Sequence, residues 1–348
     1  MHSFTEEQQN LIDFVSKEHG NKEYLTIGGV AGSGKSTCLA HLSNKFPNFK
    51  VCAFTGKAAN VLRRKGISDA ATIHSTIYEY FEEDGKLEWR LKFPNEVSFS
   101  GLFVDEASMV SEDIFDDLLS FNLPVVFFGD HAQLEPVGSK FNLMKSPMVT
   151  LETIHRNANT IAKFADFLRK GYDAKTFTHF DDTVQLVPKR MVKTEDFTKT
   201  DQVICAYNKT RNLINRKVRE FLKYDKTVVK NEKIICLKNN RKLGIFNGMQ
   251  GHVLSVTKNI LTFRDDNNTV ISTKAFMPQF GIDKLHESAS HDKEKGFYDY
   301  GYCITCHKAQ GDEWDKIIVI EEKSDLWDHK RWAYTAASRA KTKIVWAV

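Results

Sequence analysis

Apolar positions in the first 150 residues come in short consecutive blocks. The candidate strands Tyr24–Ile27, Val51–Phe54, Leu102–Val104 and Val125–Phe128 are each closed by Gly, Asp or Thr. Uninterrupted apolar runs of that length are what parallel strands buried on both faces require. With helical stretches between them, they predict a doubly wound α/β sheet that binds ligands at the strand carboxyl ends. Residues 77–97 break this rhythm: aromatic and charged residues alternate around Asp84-Gly85, a hairpin signal. A second α/β pattern starts near Leu151, with strands at Val203–Tyr207, Ile317–Ile320 and Ile344–Ala347. Between about 229 and 296, short strands such as Lys233–Leu237, Gly251–Val256 and Val270–Thr273 are separated by Asn, Gly and Asp, which predicts a small inserted β-barrel. The expected organisation is a first domain at 1–150 with a hairpin insertion and a second at 151–348 with a β insertion.

Composition narrows the class. With 41% apolar, 27% charged and 11% aromatic residues, the chain is neither disordered nor fibrous. No apolar run approaches the roughly 18 residues that cross a bilayer, and the acidic, polar start MHSFTEEQQNLIDF is not a secretory signal. Six cysteines without regular spacing make no disulfide framework, so reduced thiols and a cytoplasmic setting are expected. The net charge of +4 hides an asymmetry. Residues 1–150 carry 14 basic and 20 acidic side chains, residues 151–348 carry 35 and 25, and 201–250 alone carry 12 and 4. Either a polyanion partner or a solvated lysine-rich face accounts for the basic half.

The chemistry concentrates at strand ends. Gly29-Val-Ala-Gly-Ser-Gly34-Lys35-Ser36 fits G-x-x-x-x-G-K-[ST] between a predicted strand and a predicted helix, the context the motif needs. Its glycines let backbone N–H groups converge on phosphate oxygens, and the helix N-terminus adds its dipole. Gly29, Gly32, Ser33, Gly34, Lys35, Ser36 and Thr37 are the candidate cradle for ATP, with Lys35 neutralising the β/γ-phosphates and Ser36 ligating Mg²⁺. Asp105 and Glu106 end an apolar strand. Asp105 is the candidate Mg²⁺ holder and Glu106 the base for an attacking water. Gln133, past the end of a third strand, is placed to sense the γ-phosphate. Arg156 and Arg339 are candidates for the extra positive charge a phosphoryl transition state needs.

The ordered set resembles superfamily 1 helicases of the 5′→3′ branch, with RecD-like enzymes and phage Dda-like helicases. Nearly the whole chain is covered. GVAGSGKS is similar to motif I, AFTGKAA (53–59) to motif Ia, and ATIHS (71–75) to the following DNA-contacting motif. VDEAS (104–108), GDHAQLEPVG (129–138), LETIHR (151–156), ITCHKAQGDEWD (304–315) and WAYTAASRAK (332–341) are similar to motifs II to VI in order. The resemblance implies two RecA-like P-loop NTPase domains, the hairpin at 77–97 as a duplex-separating pin, and the β insertion as an SH3-like barrel.

Residue roles follow from the same resemblance. Gln8 is similar to an adenine-reading glutamine, although Thr5-x-x-Gln8 is also a capping box and both roles can hold. Gly311 and Glu313 match nucleotide positions, Glu313 the ribose contact, and Arg156 and Arg339 match two arginine fingers from the second domain. His155 stands where some relatives carry an aromatic against adenine. Thr55, Lys57, His74, Thr305 and His307 match nucleic-acid contacts, suited to phosphate oxygens. Trp89 and Phe93 either stack on bases or pack the hairpin. Cys303-Ile-Thr-Cys306-His307 also fits C-x-x-C-H, but no export signal or second cysteine pair supports haem or zinc. The implied activity is ATP-dependent DNA unwinding with 5′→3′ translocation, of the kind used in replication, repair or recombination. The alternative is an RNA helicase or a remodelling translocase. The implied partners are single-stranded DNA and single-strand/duplex junctions, with single-strand-binding or recombination proteins as further candidates. No membrane partner is expected, and the chain is expected to act as a monomer.

Overall fold

Consecutive apolar residues need cover on both faces of a strand, and helices supply it here. The computed structural model describes residues 4–348 apart from 84–85, 136–140, 155–159, 179–180, 241–244, 246, 267, 291, 293 and 326. The side chains of 57, 80–83 and 86–89 also lie outside that description. The chain divides into two compact units, residues 1–163 and 164–348.

In the first unit, β1 (Tyr24–Gly29), β2 (Phe49–Ala53) and β3 (Ala71–Thr72) precede a hairpin of β4 (Tyr78–Glu83) and β5 (Lys86–Leu91), followed by β6 (Gly101–Asp105), β7 (Val125–Gly129) and β8 (Val149–Leu151). All but the hairpin form one parallel sheet in the order β3-β2-β6-β7-β1-β8. The strand period of two divides the core. Val126 and Phe128 join Leu11, Leu39 and Leu62 on one face, whereas Val125 and Phe127 join Ile77 and Leu118 on the other. The covering helices are α1 (Glu6–Glu18), α2 (Lys35–Lys45), α3 (Gly56–Arg64), α4 (Ile73–Ile77) and α5 (Glu112–Leu119). Because these strands run parallel, β1, β6 and β7 all direct their carboxyl ends to one edge of the sheet.

The rest of the chain contains α6 (Thr160–Arg169), β9 (Val184–Val187), α7 (Thr194–Thr198), β10 (Gln202–Cys205) and α8 (Asn208–Phe221). Five more strands follow: β11 (Lys233–Cys236), β12 (Gln250–Thr257), β13 (Ile260–Asp265), β14 (Val270–Lys274) and β15 (Tyr298–Tyr300). It closes with β16 (Cys303–Thr305), β17 (Trp314–Ile320), α9 (His329–Ala337) and β18 (Ala340–Ala347). One sheet, β16-β10-β17-β18-β9, is again parallel. The intervening sheet, β14-β13-β12-β11-β15, is antiparallel around Ile234, Val253, Leu261, Phe263 and Tyr298.

Helix α8 ties the antiparallel sheet down. Arg211 pairs with Asp299 at 2.9 Å and Arg219 with Glu232 at 2.6 Å, both carboxylates fully buried. Asn215 bridges the carbonyls of Tyr300 and Cys303 at 3.1 and 3.2 Å and accepts from the Cys303 N–H. The fold is therefore α/β with two parallel sheets, and none of its described helices is long and apolar enough to cross a membrane.

Candidate nucleotide-binding site and nucleic-acid contact positions

Strand β1 ends in Gly28-Gly29, and the chain turns through residues 30–34 into α2. A Cβ on Gly29 would lie 2.7 Å from Lys35 Cγ and 2.9 Å from Ser33 Oγ, so only glycine lets the loop close this tightly. Gly34 sits at φ 89°, a left-handed conformation that other residues adopt at a cost. No side chain caps α2, so its start offers N–H groups and the positive end of the helix dipole. Ser33 is buried and its Oγ has no hydrogen-bond partner among the described residues. Lys35 Nζ donates to the Gly29 carbonyl and, at 3.4 Å, to that of Val30.

Gln8 bears on the same loop. It completes the Thr5 capping box at the start of α1, and its Nε2 donates to the Ser33 carbonyl at 3.2 Å. The cap and a direct hold on the loop coexist in one side chain.

Asp105 and Glu106 stand at the carboxyl end of β6. Burial pushes the Asp105 pKa up, opposed by the Lys35 ammonium, the Glu106 N–H and Lys65. Glu106 has φ 55° and ψ 39°, a left-handed backbone at a residue with a full side chain. Strain of that kind collects where geometry is over-determined. Gln133 is buried, and its Nε2 donates to Asp130 Oδ2 at 3.1 Å while Asp130 Oδ1 accepts from the Ala132 N–H at 3.0 Å. Ser36 is half-buried and Thr37 exposed in the first turn of α2.

These groups fit a nucleotide phosphate: a tight glycine loop, an uncapped helix start, an unpartnered buried hydroxyl and a lysine. Among the described residues no three His, Cys, Asp or Glu side chains cluster as a metal cage. One hydroxyl and one carboxylate, Ser36 and Asp105, are the oxygen set that suits Mg²⁺ shared with phosphate.

In the second unit, Gly311 (φ 77°) and the exposed Glu313 flank Asp312, whose carbonyl accepts from Arg339 Nη1 at 3.2 Å. Arg339 is only 4% exposed, and its other bonds go to the Thr335 carbonyl and Ser338 Oγ. No described carboxylate pairs with it, an uncommon state for a buried guanidinium. Arg156 and His155 lie outside the described residues.

The candidate nucleic-acid positions fall on helix starts and strand ends. Thr55 caps α3, its Oγ1 accepting from the Ala58 N–H at 3.1 Å, and Lys57 follows in the first turn, its side chain outside the described set. His74, half-buried in α4, lies 5.6 Å from the Tyr78 ring and 6.4 Å from that of Phe54. Thr305 ends β16, and His307 follows in a 3-10 turn where burial lowers its pKa. Trp89 pairs in register with Tyr80 across the hairpin, its side chain undescribed. Phe93 is 57% exposed beneath the Arg90 guanidinium, 4.6 Å from the ring centroid. Cys303 and Cys306 are buried. The former lies 3.5 Å from Cys205 Sγ, and the latter, pushed up to about 12 by burial, donates to the Trp332 carbonyl.

Comparison with known proteins identifies the lineage. A family model described as an AAA domain matches residues 3–187, and one described as a UvrD-like helicase C-terminal domain matches residues 300–346. The chain belongs to this AAA-domain family. The chain is 25% identical to the conjugal transfer protein TraA of Agrobacterium fabrum, over 92% of this chain and 30% of that protein. It is likewise 25% identical to the ATP-dependent RecD2 DNA helicase of Deinococcus radiodurans, over 98% and 48%. It thus spans about half or less of those relatives. A Bacteroides Pif1 structure bound to single-stranded DNA shares the fold with a TM-score of 0.59 and 20% identity, covering 100% of this chain and 93% of that one.

Sequence reasoning passed over two residues that hold other side chains in place. Asp130 fixes Gln133, and its GD context gave no sign of which side chain it would hold. Glu7 receives the Thr153 N–H and hydroxyl at 3.1 and 2.6 Å, a contact 146 residues apart with no local signal.

Proposed function

We propose that the chain is an ATP-dependent DNA helicase that translocates 5′→3′ on single-stranded DNA and unwinds duplex, working as a monomer in the cytoplasm. The observation that carries this is a buried guanidinium, Arg339, with no carboxylate partner among the described residues, in a chain whose other unit carries a complete phosphate loop. The name of the Deinococcus relative and the strand bound to the Bacteroides structure support the substrate, and kinship with that branch supports the direction.

Residues 1–150 and 151–348 are taken as the two RecA-like domains. Gly29, Gly32, Ser33, Gly34, Lys35, Ser36 and Thr37 cradle the phosphates, with Gln8, Gly311 and Glu313 contributing to nucleotide recognition. Mg²⁺ held by Ser36 and Asp105 supplies charge neutralisation. Glu106 accepts a proton from the attacking water, Gln133 positions that water, and Arg156 and Arg339 stabilise the developing negative charge. Thr55, Lys57, His74, Thr305 and His307 hold phosphates, which gives grip without sequence preference. Opening each base pair costs about 1.4 kcal/mol in stacking, so separation needs a wedge. The β4–β5 hairpin with Trp89 and Phe93 is that wedge, and the antiparallel sheet is the SH3-like insertion.

The test is ATP-driven separation of DNA duplexes with a 5′ or a 3′ single-stranded tail, alongside Lys35→Ala. Unwinding of the 5′-tailed substrate alone, lost in the variant, is expected. Unwinding from the 3′ tail overturns the direction. ATP-driven activity unchanged by Lys35→Ala overturns the site.

A further inference from the structure

The cationic excess at 201–250 has no role in the nucleotide site, and the structure separates it into two populations. Arg211 and Arg219 are consumed by the buried carboxylates of Asp299 and Glu232. Lys233 and Lys238 are also held, by the Asp201 carbonyl and Gln202 Oε1 and by the Ala289 and Asp292 carbonyls, and the other described cations lie on the opposite face of α8 and just beyond it. Lys209, Leu213, Arg216, Lys217 and Glu220 are all exposed, and Lys223 continues them past the helix end. At 100° per residue the five helical positions fall within about 100° of one another, while Arg211, Ile214, Asn215 and Val218 face inward. Arg216 has a loose, exposed pairing with Glu220 at 3.7 Å. Lys209, Lys217 and Lys223 have no partner among the described residues. Lys226 and Lys230 extend the exposed cations along the following turn.

The row starts at a defined place. Cys205 pairs with Thr305 in the parallel sheet, so the start of α8 leaves the same sheet edge as Thr305 and His307. From Lys209 to Glu220 the rise is about 16 Å, or roughly five base-pair steps of duplex, and Lys223 lies just past the helix end. No aromatic ring stands among the five helical positions, and the exposed Tyr207 and Phe221 and the half-buried Tyr224 lie at the ends of the row. Single-strand sites combine basic grooves with stacking rings, whereas a row of cations alone matches a phosphate backbone.

We propose that the exposed face of α8, through Lys209, Arg216, Lys217 and Lys223, binds the phosphate backbone of duplex DNA next to the single-strand contacts. This rests on the helicase function proposed above and adds a second nucleic-acid surface to it. The attraction is electrostatic, independent of sequence and sensitive to salt.

The test compares the full chain with the triple variant Lys209→Gln/Lys217→Gln/Lys223→Gln. Binding to a tailed duplex and to the single strand alone is titrated from 50 to 200 mM salt. If each lysine neutralises one phosphate, the slope of log affinity against log salt on the tailed duplex falls by about 2.7, so the wild type loses roughly 40-fold more affinity than the variant over that range. Single-strand affinity and strand-stimulated ATP hydrolysis stay at the wild-type level, which also shows that the variant is folded. An unchanged slope on the tailed duplex overturns the proposal. So does an equal loss on the single strand, which assigns the face to the strand track. A wild type that binds neither nucleic acid overturns the helicase function itself.

Discussion

Glu106 keeps a left-handed backbone one residue after a carboxylate whose burial raises its pKa. Both features cost stability, and both sit where water would be activated. The ionised form of Asp105 is the disfavoured one in the folded state, so the native protein binds its proton more tightly than the unfolded chain does. Its penalty is therefore full at neutral pH and vanishes as pH falls below the ordinary carboxylate range. Asp105→Asn is expected to raise the melting temperature by a few degrees at pH 7 while abolishing ATP hydrolysis, the gain shrinking in melts at progressively lower pH. His307 has the opposite sign. Burial lowers its pKa, so the unfolded chain takes up the proton first and stability falls as pH drops below about 6.5. His307→Gln flattens that part of the stability–pH profile. Lys35→Ala, measured by phosphate release, is expected to lower kcat by roughly 10²–10³-fold, the scale of losing one preorganised donor.

At the scale of elements, the strands of the first sheet were the most legible part of the chain. Four apolar runs predicted β1, β2, β6 and β7 to within two residues at either end, because a strand buried on both faces must be apolar throughout. Strand β15 had no such signature. Tyr298-Asp299-Tyr300 is wholly buried with a carboxylate at its centre, and the arginine that compensates it comes from α8, 88 residues earlier. That pairing exists only once the sheet is docked. The phosphate loop was legible as a spacing, yet the Gln8 amide on the Ser33 carbonyl was not, since it depends on where α1 lands. Arg211→Leu leaves Asp299 buried and unpaired and is expected to cost about 3–5 kcal/mol in urea unfolding. Adding Asp299→Asn recovers much of the loss, the non-additivity marking the pair.

Across the whole molecule, the charge asymmetry follows the two units, with acidic excess in the nucleotide-loop half and basic excess in the other. The buried Arg339 is the sharpest case, a charge that the described residues of its own unit meet only with carbonyls and a hydroxyl. If it serves phosphoryl transfer, Arg339→Lys lowers kcat about 10³-fold or more, with nucleotide affinity in equilibrium titration changed far less.

All six cysteines are buried. Burial pushes Cys38 up to about 11 and Cys52 and Cys306 to about 12, and holds Cys205 and Cys236 well above the ordinary thiol range. Thiolates are the reactive species, so the native chain should be nearly silent toward maleimides at neutral pH. A single cysteine introduced on the surface of either unit would then take a dye selectively without first stripping the native ones. Donor and acceptor placed on the two units could follow their separation through successive nucleotide states in an otherwise unmodified protein.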